Sequence, residues 1–172
     1  VTTDNRDLVP GALFVPIIIG ERVDAHRFSA CLAGEIPRQL LRDGYEKAKQ
    51  TALWYNSVFG QGNYYLEIQS HGIEDQNRTN PQIIRLSKET GIPLVVTNDA
   101  HYITKEDSKM QHVLLCIQTN HTVDEDIGME FPTDEFYIKS HDEMASLFPD
   151  EPSAVTNTLE IAEKCNFDFE FG

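Results

Sequence analysis

From residue 29 onward the apolar positions alternate between two spacings, one helical and one extended. In DGYEKAKQTALWYNSVFG (43–60), Tyr45, Ala48, Ala52, Tyr55 and Phe59 recur every three or four residues and Gly60 closes the run. This predicts an amphipathic helix with a glycine stop. NYYLEIQ (63–69) switches to aromatic and β-branched content, which predicts a strand. TNPQIIRLSKETG (79–91) returns to helix, with Asn80 expected as N-cap, Pro81 in the first helical position and Gly91 past the end. PLVV (93–96) is the next strand.

Thr104 and Asp107 have the spacing of a capping box, ahead of a helix whose expected apolar stripe is Met110, Val113, Leu114 and Ile117. Ser140 with Glu143 opens another short helix, and PSAVTNTLEIAEKC (152–165) makes a last one. RFSACLAGEIPRQLL (27–41) reads as a strand end followed by a loop or short helix. The first 28 residues hold turn residues and one apolar strand-like run at 13–19, with no motif.

Strand and helix alternating at these distances predict an α/β fold of parallel strands joined through helices. In such folds the chemistry gathers at the carboxyl ends of the strands. Attention therefore falls on the residues just after PLVV and just after YYLEIQ.

Charge narrows the chemistry. The formal net charge is −14, from 28 acidic and 14 basic residues. Affinity for a nucleic-acid backbone comes largely from Lys and Arg, so this balance argues against a main phosphate-gripping surface. A cation-loaded pocket stays open, because divalent ions reverse the local sign. Three cysteines, Cys31, Cys116 and Cys165, are widely spaced and form no CxxC pair. They suit a reducing cytosol rather than a disulfide framework. The run GALFVPIIIG (11–20) is too short for a membrane span, which needs roughly 18 apolar residues. No secretory signal pattern is evident, so the expectation is a cytoplasmic protein without a membrane partner.

Asp99 and His101 come first among the candidate groups. If the chain stays extended past Val96, positions i and i+2 share a side, and an oxygen and a nitrogen donor face one cavity. Carboxylate with neutral imidazole is a donor set for zinc, manganese or iron. The competing reading is a turn, which Asn98 and Asp99 favour by composition. In YYLEIQSHG, Leu66 and Ile68 alternate with Tyr65, Glu67, Gln69 and His71. A polar row of this kind belongs either to a site-lining strand or to an edge strand with a wet face. Cys31 offers a thiolate ligand or a small buried thiol. Cys116 and Cys165 fall on apolar helical faces and are expected in the core. His112, His121 and His141 are expected to face solvent.

SACLAGEIPR, YYLEIQSHGIEDQNR, GIPLVVTNDAHYI, HVLLCIQT, FPTDEFYIKS and TLEIAEKCNFDFEFG, in that order, resemble the bacterial DNA polymerase III alpha-subunit family. They correspond to the latter half of its PHP (polymerase and histidinol phosphatase) domain, from about residue 29 to Gly172. The resemblance implies the C-terminal half of a distorted (β/α)7 barrel over residues 29–139. Residues 140–172 would be a helical segment leading toward an absent polymerase palm, and residues 1–28 stay unassigned. It also implies divalent metal ions (zinc, manganese or magnesium), with Cys31, Asp99 and His101 as ligands. Asp99 and His101 would also be catalytic. Glu67, Gln69, His71 and Asn98 carry over as pocket-lining candidates.

The implied activity is metal-assisted 3′–5′ exonuclease in a full-length replicative DNA polymerase. Its partners would be DNA, deoxynucleotides and other replicase subunits. The family's HxHS-type and TDHG-type motifs, which bring most of the ligands, are missing from the sequence. The isolated chain is therefore expected to be inactive or nearly so. A metal-free module that braces the polymerase is the alternative. A stand-alone PHP phosphoesterase would not need FPTDEFYIKS or TLEIAEKCNFDFEFG.

Overall fold

A computed structural model describes residues 32–125, 127–128 and 131–164. Its elements are α1 (Glu35–Arg42), α2 (Tyr45–Phe59), β1 (Leu66–Ile68), α3 (Glu74–Thr90) and β2 (Leu94–Val96). They continue with a 3-10 turn (Lys105–Asp107), α4 (Ser108–Thr119), α5 (His141–Leu147) and α6 (Pro152–Lys164). β1 and β2 pair in parallel, with Leu66 opposite Leu94, Glu67 opposite Val95 and Ile68 opposite Val96. This is the expected parallel β/α unit, with α3 as its crossover.

The core forms where this sheet meets the helices. Ala48 and Ala52 let α2 approach closely and are fully buried, as are Ile68 and Leu86. Tyr55, Tyr64, Leu66, Ile83 and Leu94 fill the space around them. On the far side α6 packs against β2, with Ala154, Val155 and Ile161 turned inward. The Asn157 amide donates to the Leu94 carbonyl at 2.7 Å, which satisfies a strand oxygen not used in pairing with β1. Across the surface, Lys49 on α2 and Arg85 on α3 both bond Glu89, pulling its carboxyl down to about 2.

One helix start is corrected. The helix expected to begin at Pro81, after an Asn80 cap, begins seven residues earlier, at Glu74, and Pro81 lies inside it. Asn80 is buried, and its amide donates to the Gln69 carbonyl at 2.8 Å. It serves as a tertiary tie instead of an N-cap. Gly91 does end α3, in a left-handed conformation with φ +72°. On α4 the apolar stripe faces outward among the described residues, with Met110, Leu114 and Ile117 exposed, Val113 half-buried and Cys116 the one buried residue of the helix. Among the described residues α4 has its main packing only against the 3-10 turn before it.

The Thr104–Asp107 and Ser140–Glu143 capping boxes are both formed. His121 and His141 are exposed, whereas His112, also expected to face solvent, is half-buried on α4 with its Nε2 3.6 Å from the Cys116 sulfur. Cys165 lies outside the described residues. Among the described residues no helix is long and apolar enough to cross a membrane.

Candidate metal centre at the strand ends

Beyond Val96 the chain continues without forming a helix, and its alternation brings three polar side chains to notice: Thr97, Asp99 and His101. His101 Nε2 lies 3.0 Å from Asp99 Oδ1, with both side chains largely shielded from solvent. The pair is therefore a shared feature of one loop rather than two separate turn residues.

Beside it, Glu67 on β1 receives the Thr97 hydroxyl in a short hydrogen bond. The Gln69 amide donates to Thr97 Oγ1 at 2.8 Å and reaches Glu67 Oε1 at 3.4 Å. Burial raises the Glu67 carboxyl to about 7; the Thr97 and Gln69 donors offset part of this, and the nearby Asp99 charge adds to it. The polar row of β1 is thus shielded beside the Asp99–His101 pair, with Gln69 and His71 buried. Tyr65 leaves that row, with its hydroxyl 2.9 Å from Lys164 Nζ and 3.4 Å from Glu160.

His71 continues from β1 and is almost fully buried. Its backbone N–H donates to Gln76 Oε1 at 2.8 Å, and the Gln76 amide nitrogen lies 3.2 Å from His71 Nδ1. Nε2 is 3.3 Å from Asn98 Oδ1 and 3.2 Å from the Asp99 backbone nitrogen. Burial lowers its pKa, and the nearby Lys139 charge lowers it further. The ring is therefore neutral at physiological pH, and both its nitrogens are engaged within the protein. His71 is a wall of the site, not an available ligand.

A segment from Phe131 to Lys139 lies across these loops like a strap. The Phe136 carbonyl accepts the His101 N–H at 2.7 Å, and the Tyr137 carbonyl accepts the Asn98 amide at 2.8 Å. Tyr102 and Tyr137 form a parallel bridge, and Thr133 Oγ1 donates to the His71 carbonyl at 2.6 Å. The Phe136 ring stacks on His71 with centroids 4.6 Å apart and planes 11° from parallel, while Phe131 sits 4.5 Å from the His101 ring. Lys139 anchors the strap from a buried position, bonded to the Glu135 carbonyl and lying 4.2 Å from the centre of the Tyr137 ring. Burial lowers its pKa against the opposing pull of Glu135.

Sequence reading singled out Asp99, His101, Glu67, Gln69, His71 and Asn98, and the structure brings all six to this end of the sheet. Cys31 lies outside the described residues. Thr97, Gln76, Thr133 and Phe136 were missed. Thr97 had a signal, since it is two residues before Asp99 on the same alternation; the strap residues act across long separations and had none.

Two donors bound to one divalent cation at about 2.0–2.2 Å, at near-octahedral or tetrahedral angles, lie roughly 3.0–3.5 Å apart. The 3.0 Å between Asp99 Oδ1 and His101 Nε2 meets that spacing. Among the described residues no three His, Cys, Asp or Glu side chains group as a cation site. The pair has the spacing of two donors to one cation, and among the described residues no third donor joins them.

The model of the PHP domain family matches residues 21–71. The DNA polymerase III subunit alpha of Borreliella burgdorferi is 45% identical over 142 residues, covering 83% of this chain and 12% of that protein. That of Treponema pallidum is 41% identical over 167 residues, covering 94% and 14%. That of Deinococcus radiodurans is 36% identical over 178 residues, covering 98% and 13%. The chain therefore spans between 12% and 14% of the length of these relatives. It belongs to the DNA polymerase III alpha-subunit family, as a segment carrying part of a PHP domain.

Proposed function

We propose that Asp99 and His101 are two ligands of a divalent-metal centre in the complete PHP domain of a cytoplasmic replicative DNA polymerase. The two parallel strands would be neighbours in a distorted (β/α)7 barrel spanning residues 29–139, with 140–172 leading toward the palm. The centre would hydrolyse phosphodiester bonds at the 3′ end of DNA, as a proofreading exonuclease beside the polymerase, among other replicase subunits. The observation that carries this reading is the 3.0 Å Asp99–His101 pair at the carboxyl end of a parallel strand.

When bound, zinc, manganese or magnesium supplies a Lewis acid that lowers the pKa of water and stabilises charge on the leaving oxygen. Asp99 would contribute a carboxylate oxygen and His101 its Nε2, with Cys31 as a thiolate donor. Glu67, Gln69 and Thr97 form a fixed polar floor, and Phe131 and Phe136 limit water around the imidazoles. Other ligands would come from outside the described residues; with the family's HxHS-type and TDHG-type motifs missing from the sequence, the 172-residue chain alone should be inactive or nearly so.

In the full-length polymerase, Asp99→Asn should abolish exonuclease activity and spare polymerisation; unchanged exonuclease activity would refute the assignment. The second reading is a metal-free module that braces the polymerase. It is favoured by the same hydrogen bond, since Asp99 and His101 already satisfy each other. Elemental analysis of the purified full-length protein separates the two, because stoichiometric bound metal is expected only under the first.

A further inference from the structure

We propose that His71 is a positioning residue for the Asp99–His101 pair, acting through Asn98 and the 131–139 strap. This rests on the reading of that pair as metal ligands. The ring is held from both sides. At one end Gln76 presents its oxygen to the His71 N–H, which turns its amide toward Nδ1. At the other end Asn98 must give its amide to the Tyr137 carbonyl, which turns its oxygen toward His71 Nε2.

The ring meets the Gln76 amide at Nδ1, and at Nε2 it meets both the Asn98 side-chain oxygen and the peptide of Asp99. The Asp99 N–H donates to that Nε2 at 3.2 Å. The imidazole therefore ties the backbone of Asp99 itself, with the Asn98 side chain beside it, to one fixed point.

The remaining freedom of the loop is removed by the strap. Phe136 covers one face of the His71 ring, and its carbonyl holds the His101 N–H, so one residue contacts the positioner and the ligand loop together. Thr133 closes the circuit by bonding the His71 carbonyl. With its ring nitrogens directed at Gln76 and Asn98, His71 acts one step behind the metal. Groups that orient ligands from behind in this way change metal affinity by about 10–100-fold when removed.

The test uses Mn2+ titration calorimetry on the full-length protein, comparing wild type with His71→Phe, Asn98→Ala, the double variant and Asp99→Asn. His71→Phe keeps a ring to stack on Phe136 but has no nitrogen. Each single variant should weaken Mn2+ binding about tenfold while keeping the number of ions bound. Because Asn98 acts through His71, which also holds the Asp99 N–H, the double variant should be no weaker than His71→Phe alone. Melting curves report folding.

Unchanged affinity in folded His71→Phe and Asn98→Ala overturns the inference, and so does full additivity. Loss of an entire bound ion in His71→Phe also overturns it, because His71 would then be a ligand. Failure of both variants to fold counts against it too, since the network would be serving the fold. If Asp99→Asn leaves Mn2+ binding unchanged, the metal-centre reading itself fails, an outcome separate from these.

Discussion

Glu67 permits a quantitative test of how the site is built. Its carboxyl is buried between β1 and Thr97 and titrates near 7 instead of the ordinary 4.5. Below pH 4.5 it is protonated in both folded and unfolded chains and costs nothing. As the pH rises from there, the unfolded chain releases this proton while the folded chain retains it, so folding weakens. The loss is complete once the pH has passed through about 7 and both states are ionised. At about 1.4 kcal/mol per pH unit, that interval amounts to about 3 kcal/mol.

Glu67→Gln mimics the protonated acid, and its amide oxygen can still accept from Thr97 and Gln69. Urea unfolding of wild type and variant from pH 4 to pH 8, in chelator and followed by circular dichroism, measures the difference. The stability of Glu67→Gln relative to wild type should rise by about 3 kcal/mol across that range. A difference that stays constant with pH would show that the carboxylate is solvated or already paired with a cation, and the reasoning would fail.

Other outcomes follow from the way the sheet is closed. Asn157→Ala leaves the buried Leu94 carbonyl without its 2.7 Å donor and should cost about 1–3 kcal/mol. It should also speed hydrogen exchange along α6 without affecting α1; unaltered exchange in α6 would contradict the assignment. Gly91→Ala places a side chain at φ +72° with no atom within 4 Å of the new carbon, so conformational strain alone should cost about 1 kcal/mol. An unshifted urea midpoint would argue against the left-handed end of α3.

What could be read in the sequence was local. The Tyr45–Phe59 stripe, the Gly91 stop, both capping boxes and the two strands each carry their signal within a few residues. Extended geometry and the family resemblance together pair Asp99 with His101, and the two side chains lie 3.0 Å apart. Asn80 misled because Asn followed by Pro is a strong local start signal, while its actual partner is a carbonyl eleven residues upstream. The Met110–Ile117 stripe has helical periodicity, which shows that a helix has an apolar face but not which surface receives it. The strap could not be read at all, because its bonds to the Asn98–Tyr102 loop join positions more than thirty residues apart.

That separation has a consequence during synthesis. The Tyr137 carbonyl that holds Asn98 is translated 39 residues later. At about 5–20 residues per second, the ribosome needs roughly 2 to 8 s to deliver it. For those seconds the acid and the imidazole are made without their clamp, so the nascent chain completes the Asn98–Tyr102 loop late, after the strands beneath it have been made.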